Sequence, residues 1–254
     1  MEFWKNKVAI ITGAGQGIGA QIAEDLVKIG MTVIGFEPTE EKVHEMMDNA
    51  KHWGLVEGRM VPCKCDISKE KDLIHAFDGI VTDYGGVDLL INNAAIGKEG
   101  LICTGDISVF KDIIDVNIYG LMACTRLAMA SMMKKDFAQI ININSICGHY
   151  MPNFEKPTIN LYIASKRSMT AFSNTITEEC KLLKHKIKVT SVSPGMVRTG
   201  IFKTAGIKFI DNEFFDKNPH LTVKDISSVV LKVLALPHVL QVKELMFHAL
   251  HEIY

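Results

Sequence analysis

The chain has 254 residues, with 28 Lys and Arg against 29 Asp and Glu and a formal net charge of −1. That length fits one large α/β domain as well as two small ones, and the lack of a basic excess argues against a nucleic-acid partner. Hydrophobic residues make up 48% and charged residues 22%, enough for a folded core, and no apolar run is expected to reach the ~18 to 20 residues of a bilayer span.

Residues 1–7 run directly into a first strand, with no apolar leader expected. Val8–Thr12 is an apolar, β-branched run, Gly13, Gly15, Gly17 and Gly19 follow, and Ile18, Ile22, Leu26 and Ile29 then recur at helical spacing. This order predicts strand, glycine turn, helix. A strand over 31–36, a helix over about 40–51 and a strand over 60–65 repeat it. Helices over 69–84 and 108–134 then alternate with strands over 87–92 and 139–144. A helix over about 160–183, a strand over 188–192, a helix near 223–236 and a strand near 241–247 complete the series.

Strands alternating with long helices pair in parallel through right-handed crossovers. The expected fold is therefore α/β, a Rossmann-type doubly wound parallel sheet of about seven strands with helices on both faces. No linker, charge run or repeat divides it, so a single domain is expected over 1–254. Six cysteines lack any Cys-x-x-Cys pair, and the nine histidines lack zinc-ligand spacing. Free thiols, a reducing cytoplasmic setting and no metal site are expected.

A glycine cluster that follows a strand and opens a helix lets a pyrophosphate approach backbone N–H groups at the positive helix end. Here Thr12-Gly13-x-x-x-Gly17-Ile18-Gly19 resembles the glycine motif of the short-chain dehydrogenase/reductase family. The family's other marks follow in order: Asp66, Asn92-Asn93-Ala94-Ala95, Asn117, Ser145, Tyr162-x-x-x-Lys166 and Pro194-Gly195-Met196-Val197-Arg198-Thr199. One departure is Ala95, standing where the family usually has Gly, and another is the 17-residue separation of Ser145 and Tyr162, which is about 13 in many relatives. The resemblance covers essentially the whole chain. It implies a dinucleotide-binding half over about 1–135 and a catalytic and lid half over about 136–254. It also implies cofactor contacts from Gly13, Gln16, Gly17, Ile18, Gly19, Asp66, Ile67, Asn93, Ala94, Ala95, Tyr162, Lys166, Pro194, Gly195, Val197 and Thr199.

The second strand ends Phe36-Glu37-Pro38, placing Glu37 twenty residues after Gly17, where a carboxylate can bind adenosine ribose hydroxyls. NADP-using relatives usually carry Arg at the position of Pro38. A carboxylate near a 2′-phosphate would repel each unit charge by up to about 4 kcal/mol. NAD is the expected cofactor.

Tyr162 and Lys166 are four apart and share a helix face. A free Tyr titrates near ~10, so nearby positive charge is needed for it to act as a base at neutral pH. Tyr162 is the expected acid/base and Lys166 its charged neighbour. Ser145, at the end of a core strand, is expected to hydrogen-bond the substrate oxygen. Asn117, by the resemblance, bends its helix and anchors a water leading to Lys166, and Lys166 also holds the cofactor ribose.

By the resemblance a mobile lid follows Thr199, and here the segment 200–215 is rich in Ile and Phe with two glycines as hinges. Ile96, Met151, Phe154, Ile201 and Phe202 are the expected substrate contacts, and the loop 147–158 is expected to wall one side of the pocket, a plain surface excursion being the alternative. A greasy site without an Arg or Lys cluster favours a small hydrophobic alcohol or carbonyl. Residues 140–149 and the start Phe3-Trp4-Lys5-Asn6-Lys7-Val8 resemble the farnesol-dehydrogenase-like subgroup. That implies an oxidoreductase acting on a terpenoid or similar lipophilic alcohol, with an NADPH-linked carbonyl or steroid reductase as the alternative and a catalytically dead dinucleotide sensor as a remote third. A homodimer or homotetramer paired through the helices over 108–134 and 160–183 is implied as well.

Overall fold

Seven strands build one sheet: β1 (Val8–Thr12), β2 (Thr32–Glu37), β3 (Arg59–Lys64), β4 (Leu89–Asn92), β5 (Ala138–Ile143), β6 (Ile187–Pro194) and β7 (Glu244–Phe247). The computed structural model describes residues 1–54, 56–151 and 159–252. Strand order is β3-β2-β1-β4-β5-β6-β7, and every pairing is parallel. The order reverses between β1 and β4, which opens a crevice beyond their C-terminal ends.

Helices α1 (Gly17–Lys28), α2 (Glu40–Ala50), α3 (Glu70–Tyr84), α4 (Ile107–Ile114), α5 (Leu121–Met132), α6 (Asn160–Leu182), α7 (Ile201–Thr204), α8 (Asn212–Lys217) and α9 (Val223–Leu234) connect and cover the strands. Residues of β1, β4, β5 and β6 are buried throughout, as a sheet covered on both faces requires. On one face Ile22 and Leu26 of α1 pack with Ile226 and Val230 of α9. On the other, Leu73 and Phe77 of α3, Cys124 and Ala128 of α5, and Ile176 and Cys180 of α6 close the second layer. Each buried Leu, Ile, Val or Phe side chain among them contributes about 1.5–3 kcal/mol. Helix α9 also carries a capping box, Thr222 with Asp225, which satisfies two otherwise orphaned N–H groups.

The helix expected over 108–134 runs from 107 to 132 but passes through a π-helical stretch, Asp115–Gly120. A π-bulge inserts an extra residue and redirects side chains, here turning Asn117 into the interior. Lys111, Asp112, Asp115 and Arg126 interrupt the apolar residues of this helix. Ile107–Met132 is long and apolar enough to cross a bilayer by length and composition, its most apolar 18-residue stretch having a mean hydropathy of 1.3. Its inward residues Leu121, Cys124, Ala128 and Met132 are buried against the sheet, so the hydropathy belongs to a core helix.

Candidate active site

The crevice at the β1/β4 switch point is one cavity of about 440 Å³. It runs from Glu37 and the glycine turn, past Asp66, Ile67 and Ala94, to Ser145, Tyr162 and Lys166, and ends under α7.

At the glycine end, Gly13 and Gly17 have φ of +68° and +57°, left-handed backbone that other residues avoid. Helix α1 starts behind Gln16, whose side chain makes no capping bond. Its first-turn N–H groups therefore remain available to an anion at the positive end of the helix. Asn93 ties this turn to the end of β4. Its side-chain amide donates to the carbonyls of Thr12 and Gly13 at 3.0 and 2.9 Å, while the Thr12 hydroxyl accepts from the backbone N–H groups of Asn93 and Ala94 at 3.0 Å each.

Glu37 is 5% exposed, and its Oε1 accepts from the Gly15 backbone N–H at 2.6 Å. Burial pushes its pKa up, while that N–H and the Lys42 ammonium draw it back. Asp66 accepts from the Ser68 hydroxyl at 2.6 Å and pairs with Lys69 at 3.1 Å, which fixes the loop after β3. A glycine cradle, an uncapped helix start and a buried carboxylate beyond them form a set that fits a nicotinamide dinucleotide.

At the other end, Ser145 caps a short 3₁₀ turn (Ile146–Gly148), its hydroxyl accepting from the Cys147 N–H at 3.1 Å. The hydroxyl also lies within hydrogen-bond reach of the Cys147 thiol, and its O–H can turn to donate to an oxygen in the cavity. Tyr162 and Lys166 lie on the first turns of α6, with the Lys166 Nζ 5.6 Å from the centre of the Tyr162 ring. Lys166 is 2% exposed and donates to the Ile143 carbonyl at 2.7 Å. Burial brings its pKa down to about 8. Burial also raises that of Tyr162, helped by the neighbouring Cys147 thiol. Without added positive charge, then, Tyr162 stays a phenol and Lys166 titrates near neutrality.

The lysine shift has a measurable consequence. Unfolded, Lys166 titrates near ~10.4, so between about 8 and 10.5 the unfolded chain binds more protons and stability rises with pH. Comparing the free protein with Lys166→Met by urea unfolding, wild type should gain about 1 to 2 kcal/mol on the variant between about pH 7.5 and about pH 9.5. A constant difference would contradict the burial of a titrating ammonium.

Buried amides lock α6 to the sheet. Asn92 Nδ2 donates to Asn142 Oδ1 at 2.8 Å, Asn142 Nδ2 to the Ser173 hydroxyl at 2.8 Å, and Asn144 Nδ2 to the Thr170 hydroxyl at 2.8 Å. Asn117 does not line the cavity. Its side chain exchanges two 2.8 Å hydrogen bonds with the Ile96 backbone and donates to the Ser165 hydroxyl at 3.0 Å. It thereby holds the loop after β4 against the helix that carries Tyr162.

Of the residues expected around the ligands, Gly13, Gln16, Gly17, Ile18, Glu37, Asp66, Ile67, Asn93, Ala94, Ala95, Ile96, Ser145, Tyr162, Lys166, Pro194, Gly195, Val197, Thr199, Ile201 and Phe202 all line this one cavity. Gly19 does not. It sits where a Cβ would strike the Gly13 carbonyl, so it serves close packing of helix on turn. Met151 does not either: it is 56% exposed, because the turn after Ser145 carries it away from the pocket. Phe154 and most of the loop expected to wall the pocket lie outside the described residues. The lid divides its apolar residues. Ile201, Phe202, Ala205 and Ile207 line the cavity, whereas Ile210 and Phe215 do not and are buried in a cluster with Cys147, Ile159 and Ile163, and Phe209 is exposed. Lining residues that sequence reasoning missed include Lys42, Cys147 and Glu252. Lys42 was readable as a first-turn residue of α2 beside the end of β2, but nothing local marks Glu252.

The short chain dehydrogenase family profile matches residues 7–208. The chain belongs to this family. Its members are oxidoreductases that use a nicotinamide dinucleotide, which agrees with the cradle described above. The chain is similar to a farnesol dehydrogenase of Aedes aegypti, 38% identical over 247 residues and covering 96% of each chain. It is also similar to dehydrogenase/reductase SDR family member 11 of Mus musculus, 33% identical over 96% of this chain and 95% of that one. In fold it resembles a short-chain type dehydrogenase/reductase from Mycobacterium marinum, with a TM-score of 0.84, 23% identity and 96% and 95% of the two chains covered.

Proposed function

We propose that this enzyme transfers hydride between NAD(H) and a small lipophilic alcohol or carbonyl, a terpenoid alcohol such as farnesol being the fitting type. The observation that carries this reading is the continuity of one cavity from Glu37 to Tyr162 and on to an apolar lid. The bound dinucleotide supplies the hydride acceptor and, when oxidised, a positive charge. Tyr162 takes the hydroxyl proton of the alcohol, or returns it to the carbonyl in the reverse direction. Ser145 donates to the same oxygen and fixes its position. Lys166 holds the ribose and keeps positive charge beside the phenol. Asn117 acts at one remove, by setting the loop and helix between which these groups stand. Similarity to a farnesol dehydrogenase supports the substrate class.

Glu37 supports NAD over NADP, since its carboxylate occupies the ribose end and is buried there. A second reading, an NADPH-linked carbonyl reductase, is favoured by Lys42, which lines the same end of the cavity. Steady-state kinetics decides between them. kcat/KM with NAD should exceed that with NADP by about tenfold or more, and a preference for NADP would overturn the assignment.

We also infer a homodimer or homotetramer, supported by exposed apolar side chains on the α4–α5 helix, Ile107, Ile114, Tyr119 and Met133. A reducing, cytoplasmic setting is supported by six free cysteines.

A further inference from the structure

The far end of the chain returns to the cavity. After β7 the backbone turns at 249–252, with the Glu252 N–H donating to the Ala249 carbonyl at 3.1 Å. The side chain then reaches the loop that follows β6. Glu252 Oε1 accepts from the Met196 N–H at 2.5 Å, and Oε2 accepts from the Ala249 N–H at 2.8 Å. A side chain at Gly195 would collide with this carboxylate, and Glu252 is itself part of the cavity wall.

Two properties follow. First, the carboxylate pins the loop 194–199, which forms the cavity wall facing Ser145 and Tyr162. Second, its oxygens take only backbone N–H donors, and no cation pairs with it among the described residues. The cavity therefore holds, beside the loop 194–199 expected to contact the cofactor, a carboxylate that no described cation pairs with, while Lys42 and Lys166 line the same cavity without reaching it. A dinucleotide differs there between its redox states, because the oxidised ring is a cation and the reduced ring is neutral. An unpaired negative charge within about 8 Å is little screened and attracts only the former.

We propose that Glu252 sets the redox preference of the site, favouring the oxidised dinucleotide over the reduced one. This rests on the dinucleotide assignment made above, and it makes Glu252 a specificity-determining residue for the redox state of the bound cofactor.

The test is equilibrium binding of NAD+ and NADH, each by calorimetry, to the wild type, Glu252→Gln, Glu252→Asp and Glu252→Ala. Gln keeps an acceptor for the Met196 N–H and loses the charge. It should weaken NAD+ by about fivefold or more while moving NADH by less than about twofold. Asp retains the charge and should keep the wild-type ratio of the two constants, even if both weaken. Ala should weaken both and show the ratio of the Gln variant. If Gln and Ala shift both constants by a common factor, Glu252 is a structural pin and the proposal is overturned. A wild type that binds neither form would defeat the dinucleotide assignment itself, and this proposal with it.

Discussion

Tyr162→Phe should lower kcat for alcohol oxidation by about a thousandfold or more while leaving the Kd for the dinucleotide within about twofold. The substitution removes one oxygen and leaves the ring. The ring keeps its place on the first turn of α6, and the Lys166 ammonium 5.6 Å from its centre keeps its bond to the Ile143 carbonyl. What is lost is the phenolic hydroxyl that takes up the alcohol proton, a task an aliphatic hydroxyl such as that of Ser145 does not share because it does not ionise in this range. Burial holds the Tyr162 phenol protonated in the free enzyme, so its ionisation has to be driven by positive charge arriving with the oxidised cofactor. Oxidation by wild type should consequently slow as pH falls, whereas the Phe variant should show no such limb. Residual turnover above about a tenth of wild type would contradict the acid/base role.

Gly19→Ala should weaken dinucleotide binding by about a hundredfold or more and destabilise the fold by about 1–3 kcal/mol. The new Cβ would stand 2.1 Å from the Gly13 carbonyl oxygen and 2.5 Å from Asn93 Nδ2. Neither neighbour can yield, because those two atoms are hydrogen-bonded to each other at 2.9 Å. Helix α1 must therefore lift from the turn, and its open N–H groups then leave the place where a pyrophosphate is held. Gly79→Ala is the control. Gly79 lies inside α3 with nothing within 4 Å of a Cβ, so the change should stabilise the protein by about 0.5–1 kcal/mol without touching binding. Calorimetry and thermal unfolding read both variants, and unchanged binding in Gly19→Ala would contradict the packing account.

The architecture was readable because strands such as β1, β2, β4 and β5 are short, largely apolar runs separated by helical periodicity, and parallel pairing follows from that alternation. The residues around the cavity were readable because their positions are set by strand ends. Gly13 follows β1, Glu37 ends β2, Asn93 follows β4 and Ser145 follows β5. What periodicity cannot register is a change of direction inside an element. Asn117 sits at a helical position, yet the π-helical stretch turns it toward Ile96 and Ser165. Gly19 and Gly13 belong to one motif but do different work, one packing and one lining, which only the distance between helix and turn reveals. Glu252 meets Met196 across 56 positions of sequence, a proximity created by β7 pairing with β6. Charges scattered along Ile107–Met132 hid its mean hydropathy from a search for uninterrupted apolar runs.

The central claim is that one cavity brings the alcohol carbon to the dinucleotide under the control of Tyr162. Incubating wild type with NAD and a lipophilic primary alcohol deuterated at its carbinol carbon, and weighing the products by mass spectrometry, tests it directly. The reduced nicotinamide should carry one deuterium and the alcohol should become the matching aldehyde with one deuterium fewer, with neither product formed by Tyr162→Phe. Reduced nicotinamide without deuterium, or equal label transfer by the variant, would contradict it.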